Sequence, residues 1–358
     1  MGITAPEPML QKRAPQPPLL LLIFLFCLSL APLAMAAASQ GSQALLHGLW
    51  TERELAGSPA DHAVSRPYAV PADSSPPEKT VPRVQFPPLS PPLQGVIRRV
   101  APRDEEKIVA LTFDLCERAS NRSGYRTEII NFLRRKRIPA TFFAGGKWLR
   151  SHPQKAMQLI ADPLFEIGNH SWTHANLALM DEGEIRDQIL WTQAQYEILR
   201  DRLAARAGAA GLGGEMSRVP EAMRLFRLPY GRNRAATLKS LNPLGLPVIQ
   251  WDVLGEPNDL TWPAAKIAAQ VLSRVRPGSI ILMHANAVPK KTQEVLPLVA
   301  AALLRDGWRF VTVSQLLESG PAETVVEGFF AKPGDNLIYD RGFPGKGTLH
   351  PIPKKAKP

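Results

Sequence analysis

Between residues 101 and 320 the chain alternates short apolar, β-branched runs with longer stretches whose apolar positions recur every three or four residues. The runs are Ile108 to Asp114, Ala140 to Gly146, Phe165 to His170, Phe226 to Gly231, Pro247 to Val253, Ser279 to Ala285 and Trp308 to Val313. Each has the length of a buried strand and falls short of a core helix. The stretch from Arg126 to Arg137 puts Ile129, Ile130 and Leu133 on one helical face. Glu182 to Arg206 does the same with Ile185, Ile189, Leu190, Tyr196 and Leu199, and Lys291 to Arg305 with Val295, Leu298, Val299 and Ala302. Strand and helix alternating this often predict an α/β fold with about seven parallel strands, as an open sheet or a barrel. The Gly- and Ala-rich segment from Arg206 to Pro220 reads as a loop.

The flanks break this pattern. Lys12 and Arg13 precede an unbroken apolar run from Leu19 to Leu30, and Ala34-Met35-Ala36 supplies a small-x-small cleavage site, so residues 1–36 read as a signal peptide. An uncleaved membrane anchor is the alternative, because apolar residues continue to Ala38. Either way the expected location is periplasmic or secreted, with no stable membrane span once the signal is cut. Residues 37–100 read as a Pro-rich linker, residues 101–320 as one catalytic domain, and residues 321–358 as a basic C-terminal tail ending in "IPKKAKP".

Of the two cysteines, Cys27 lies in the signal, which leaves Cys116 with no intramolecular disulfide to form. The net charge of +11 favours an anionic envelope surface as a partner. No basic stripe interleaved with aromatics points to nucleic acid.

Polar residues fall at strand ends with regularity. Asp114, His170, Arg227, Asp252 and His284 each stand at or near the C-terminal end of a different expected strand, where parallel α/β folds gather their active sites. His170 and His174 are four residues apart, so a helical turn there would aim both imidazoles at one divalent metal. His284 is placed to act as a general acid, with Asp252 able to orient it, and Arg227 needs a carboxylate partner for which Asp114 is a candidate.

These residues carry a resemblance. "TFD" (Thr112 to Asp114), "HSWTH" (His170 to His174), "RLPYG" (Arg227 to Gly231), "QWDV" (Gln250 to Val253) and "ILMH" (Ile281 to His284) resemble, in order and spacing, the five motifs of the polysaccharide deacetylase family. That family has the NodB homology domain and forms carbohydrate esterase family 4. The resemblance implies a distorted (β/α) barrel with fewer than eight strands and metal-dependent removal of N- or O-acetyl groups from an acetylated glycan. It implies Asp114 as catalytic base, His170 and His174 as metal ligands, Arg227 as the partner of the base, and the Tyr230 backbone as part of the oxyanion site. It further implies His284 as general acid with Asp252 behind it, and Trp251 and Leu282 as the wall that receives the acetyl methyl. The metal expected is zinc, with cobalt or manganese as alternatives.

One position departs from the family. A second acid usually follows the first and supplies the third ligand, whereas this chain has Leu115, which offers no lone pair. Glu117 is the better substitute for a hard, oxygen-rich site, while the Cys116 thiolate would bias the site towards zinc. Two other readings are a metal held by the histidines with waters or Asp114, and a silent glycan-binding barrel without metal. A related amidohydrolase acting on non-sugar C–N bonds is a further alternative. The retention of Asp114, both histidines, Arg227 and His284 favours a hydrolase. The segment after Asp252 spreads Asp259 and Trp262 further along than the family pattern, which bears on substrate choice.

Overall fold

In the computed structural model, which describes residues 1–2, 43–64, 72–256, 261–287 and 290–342, the apolar runs become strands of unequal length. They are β1 (Val96–Val100), β2 (Ile108–Leu115), β3 (Ala140–Ala144), β4 (Phe165–Asn169), β5 (Val248–Ile249), β6 (Val253–Leu254), β7 (Ile280–His284), β8 (Arg309–Phe310) and β9 (Ala322–Val325). β4, β3, β2, β7 and β6 lie side by side in that order, all parallel, and β8 pairs with the start of β2. A second group runs β5, β1, β9, in which β1 is parallel to β5 and antiparallel to β9.

Single bridges join the groups. Phe226 pairs in parallel with Asn169 on one side and Val248 on the other, and Arg99 bridges Ser279 just before β7. Among the described residues the ladders do not close into a complete barrel, and bridges span the intervals. The result is an α/β fold with a mostly parallel sheet. Three expected strands are trimmed: 226–231 keeps only the Phe226 bridge, 247–253 divides into β5 and β6, and 308–313 shrinks to β8. Pro229 removes a ladder donor in the first of these, and Tyr230 turns the chain with a φ of 57°.

Helices surround the strands: α1 (Glu52–Ala56), α2 (Thr127–Lys136), α3 (Gly146–Ser151), α4 (Pro153–Ala161), α5 (Glu182–Ala209), α6 (Ala235–Leu241), α7 (Ala264–Leu272), α8 (Thr292–Arg305), α9 (Val313–Glu318) and α10 (Tyr339–Gly342). α5 starts where Asp181 accepts a hydrogen bond from the Glu184 amide at 2.8 Å and Glu184 reaches back to the Asp181 amide, a reciprocal cap. It runs to Ala209, so the segment read as a loop begins inside this helix. No helix among the described residues is long and apolar enough to cross a membrane.

Strand alternation sorts the core. In β2, Val109, Leu111, Phe113 and Leu115 pack into the large cluster beneath α2, α4 and α8, while Ile108 and Ala110 join the inner cluster. β7 follows the same parity, with Ile281 and Met283 in the outer cluster and Ile280 and Leu282 in the inner one. Side chains two apart share a face of a strand. Asp114 and His284 therefore stand on the inner side at the open end of the sheet, at one register level on adjacent strands.

Both flanks differ from expectation along their described parts. The residues read as a linker are packed: Leu45, Leu46, Leu49, Trp50 and Leu55 lie in the same buried cluster as Leu133, Ile160 and Leu203, and Arg206 sits 4.5 Å from the Trp50 ring centre. The Pro-rich part that follows runs past α5. There the Arg83 and Val84 amides donate to buried Glu197 at 2.9 and 3.0 Å, and the Arg83 guanidinium forks onto Asp201 at 2.9 and 2.8 Å. Proline removes its own donor only, so the amides between prolines remain free to bind side chains. The expected tail likewise packs, as β9 against β1 and as residues 326–342 over the site. Residues 3–36 of the signal-peptide segment and the closing basic run lie outside the described residues.

Candidate active site

Asp114, next to last in β2, is nearly buried and accepts a hydrogen bond on Oδ1 from Arg227 Nη1 at 2.8 Å. Arg227 is fully buried. Its other donors meet the Ile249 and Gln250 carbonyls at 3.2 Å each, and its guanidinium lies 4.0 Å from the Phe143 ring centre. Burial pulls the Arg227 pKa down against the opposing charge of Asp114. A buried cation is tolerable only with a partner of this kind. Arg227 also ties two motifs together, because its carbonyl accepts from His170 Nδ1 at 2.9 Å.

That bond fixes the His170 tautomer. With Nδ1–H donating to a carbonyl, Nε2 keeps its lone pair and lies 3.5 Å from Asp114 Oδ2 and 3.4 Å from Cys116 Sγ. The histidine segment is not the helical turn expected from the spacing. Ser171 and His174 take left-handed φ values of 66° and 53°, and this tight reversal brings the His170 and His174 ring centres to 4.8 Å. The loop is fastened from several sides: Ser171 N donates to Asn169 Oδ1, Thr173 N to Gln188 Oε1 of α5, and buried Trp172 through Nε1 to the Ser75 carbonyl. Gly146 is required below it, since a Cβ there would overlap the Trp172 ring.

Ligand atoms of Cys116, His170 and His174 lie within 4.8 Å of one another, as do those of Asp114, Cys116 and His284. His174 is 6% exposed, and its Nδ1 has no hydrogen-bond partner. An orphaned buried nitrogen beside a second imidazole with a free lone pair and a thiol makes a donor set that fits a divalent metal. Burial raises a thiol's pKa, but His174 and His170 around Cys116 outweigh it and bring the thiol well below its usual value. For His170, Asp114 and then Cys116 outweigh burial and raise the imidazole.

Glu117 does not join this cluster. Its carboxylate accepts from Ser123 N at 3.1 Å and from the Ser151 hydroxyl beneath the site, and burial pushes its pKa up to about 7. Of the two donors weighed after Leu115, Glu117 is thus engaged outside the cluster, while Cys116, one residue past the end of β2, has its ligand atom within 4.8 Å of those of His170 and His174. Asp252 also lies elsewhere. It binds Ser279 Oγ and Ile280 N at 2.9 Å each and so pins the start of β7.

The group behind His284 is Glu256. Glu256 Oε2 is 2.9 Å from His284 Nδ1, and its Oε1 accepts from His284 N at 2.9 Å and from Thr292 Oγ1. Burial lowers the imidazole, but the Glu256 carboxylate overrides it and raises His284 to about 10. Gly255, whose amide donates to the Leu282 carbonyl at 2.8 Å, lets the chain pass close to β7 and deliver Glu256. In the sequence the only signal was an acid following a glycine just past β6.

These groups open on a cavity of about 240 Å³ lined by Asp114, Cys116, His174, His284, Leu228, Tyr230, Trp251 and Leu282, with Arg118 and Lys290 at its edge. Phe330 and Tyr339 complete the wall from the C-terminal segment, which the sequence placed in a basic tail. Tyr339 stacks on Tyr230 with ring centres 5.1 Å apart and Phe330 tilts onto Trp251 at 5.3 Å. Arg232 grips Asp340 at 3.0 and 2.9 Å, and Asn336 donates to the Gly231 carbonyl at 2.7 Å. Tyr230 OH accepts from Arg118 Nε at 3.1 Å.

Comparison with known proteins places this geometry. The family model for polysaccharide deacetylase matches residues 101–203. A peptidoglycan-N-acetylglucosamine deacetylase of Bacillus cereus is 30% identical over 216 residues, which are 59% of this chain and 68% of that protein. A bifunctional xylanase/deacetylase of Pseudobutyrivibrio xylanivorans is 29% identical over 217 residues, 60% of this chain but 31% of its own length. Among solved structures, a carbohydrate esterase family 4 pseudoenzyme from Bacillus anthracis superposes with a TM-score of 0.50 at 26% identity, covering 64% of this chain and 70% of that one.

Proposed function

Because this chain belongs to the polysaccharide deacetylase family, we propose that it is an exported, metal-dependent hydrolase that removes acetyl groups from a glycan of the cell envelope or its surroundings. The observation that carries the proposal is the placement of Asp114 and His284 at one register level on adjacent strands, flanking the cluster that contains His170 and His174. A base and an acid on either side of a bound acetyl group are what amide or ester hydrolysis requires.

His170 and His174 would hold the metal. When bound, it supplies Lewis-acid polarisation of the acetyl carbonyl. Asp114 takes the proton of the attacking water through Oδ2, the oxygen left by the Arg227 bond. Arg227 fixes the carboxylate's orientation through its 2.8 Å hydrogen bond to Oδ1. His284, kept protonated by Glu256, gives its proton to the departing amine or alkoxide. Leu228, Trp251 and Leu282 offer an apolar surface to the acetyl methyl, and the Tyr230, Phe330 and Tyr339 rings suit the apolar faces of sugar rings. Acetylated chito-oligosaccharide, peptidoglycan and acetylxylan are the substrate classes in view, and the net charge of +11 supports attraction to an anionic envelope surface.

Likeness to a pseudoenzyme supports a second reading, a silent barrel that binds glycans without turning them over. The two separate on one assay. Protein stripped with a chelator is given zinc, cobalt or manganese, and acetate release is followed on the three substrates. Activity lost on stripping and restored by metal is expected. Glycan binding with no acetate from any metal-loaded form favours the silent barrel, and release indifferent to chelation removes the metal from the account.

A further inference from the structure

Leu115 leaves open what completes the metal set, and strand geometry answers it. A side chain directly after Asp114 points to the opposite face of β2. Leu115 does so, with 0% exposure in the outer cluster among Phe113, Ala144 and Ile281. The residue that returns to the inner side is Cys116, two positions after Asp114. Its backbone is held there by Asn286 Nδ2 at 2.9 Å and by the Ser123 hydroxyl, both donating to its carbonyl, and its Sγ faces His170 Nε2 at 3.4 Å. The only carboxylate immediately beyond it, Glu117, is occupied by Ser123 and Ser151.

We propose that Cys116 is the third ligand, so that this chain binds its metal through two imidazoles and one thiolate where the family resemblance leads one to expect a carboxylate. The inference rests on the metal-dependent reading above and adds the ligand's identity. Two observations besides the cysteine support it: the 6%-exposed His174, whose Nδ1 has no hydrogen-bond partner, brings a ring nitrogen within 4.8 Å of the Cys116 and His170 ligand atoms, and His170 has its outer nitrogen fixed by the Arg227 carbonyl. Metal binding replaces the thiol proton, which leaves to solvent. A thiolate is soft and polarisable, so it favours zinc and cobalt over manganese and magnesium. It also donates more charge to the ion than a carboxylate does, leaving the open side of the ion less electrophilic. Asp114, on the same strand face, is then free to act only as base.

The test uses the full chain with Cys27→Ser, so that Cys116 is the sole thiol, loaded with cobalt(II) chloride and, separately, zinc chloride. Cobalt should give the near-ultraviolet thiolate-to-metal charge-transfer band, absent from Cys116→Ser and Cys116→Asp. Zinc affinity should fall roughly tenfold or more in Cys116→Ser. Cys116→Asp should retain a site but shift preference towards manganese. Circular dichroism on each variant separates ligand loss from unfolding. Stoichiometric cobalt without the band, or unchanged zinc affinity in a folded Cys116→Ser protein, overturns the thiolate ligand while leaving metal dependence standing. Acetate release by metal-free protein that iodoacetamide abolishes would make Cys116 a nucleophile and overturn both readings.

Discussion

Glu256 and Asp252 show how much one residue's placement matters. Asp252 ends an apolar run and so stands out in the sequence, yet its carboxylate is spent on Ser279 and Ile280. Glu256 holds His284 through two hydrogen bonds and raises it to about 10 from an ordinary 6.5. The imidazolium's contribution to stability is therefore complete below about 6.5 and is lost as the pH rises through about 10. Glu256→Gln should move the alkaline limb of the kcat profile to lower pH and destabilise the fold more at pH 6 than at pH 10. An unmoved limb would assign the leaving-group proton to another residue. Asp114, His170 and His284 were legible because each stands at or near the end of an apolar run that strand periodicity explains, and Arg227 because a cation inside such a run needs a buried partner. Glu256 was not, because it follows Gly255 in a turn with no period, among other acids of equal claim. Cys116 was legible only in part: sequence offered two donors after Leu115, and only the fold shows which of them lies within 4.8 Å of the histidine ligand atoms.

At the scale of elements, the helices of the central region formed where apolar periodicity placed them, because burying one face imposes that period, although in α8 Leu298 is 43% exposed and Leu296 and Leu303 are buried with Val295 and Val299 instead. The strands were less faithful. Ladders are made by partners, and Phe226 has partners for one residue only, so local pattern overstated β structure from Phe226 to Gly231. The flanks were misread through composition. Prolines between Pro76 and Pro92 suggested a free tether, while Leu45, Leu46 and Trp50 ahead of them carry enough apolar surface to bury against α2 and α5. After β9 the chain crosses the site, and Tyr339 is held by its stack on Tyr230 and by Asp340 in the grip of Arg232. Tyr339→Ala should raise KM for an oligosaccharide roughly 2- to 10-fold, the value of one aromatic contact of ~0.5–1.5 kcal/mol, with kcat little changed. An equal loss in kcat alone would place Tyr339 in the chemistry instead of the substrate wall.

For the whole molecule, the parallel strands from β4 to β6 carry the reacting groups at one end, and β1, β5 and β9 brace them through single bridges. The fold class was legible in the strand–helix alternation, and the cavity was half legible, since its second wall comes from a segment whose Gly, Pro and Lys content resembles a tail. Asp114, His174 and His284 line one cavity from separate strands and loops, with His170 and Arg227 buried behind them, so the reacting centre depends on the entire fold. The most direct measurement is acetate released from N-acetylated chito-oligosaccharide, peptidoglycan and acetylxylan by wild-type and Asp114→Asn proteins carrying equal amounts of zinc. Turnover of at least one substrate by the wild type, falling roughly 100-fold or more in Asp114→Asn at unchanged metal content, is the predicted result. Equal rates in the two proteins, or no acetate from any of the three substrates with zinc bound, would contradict it.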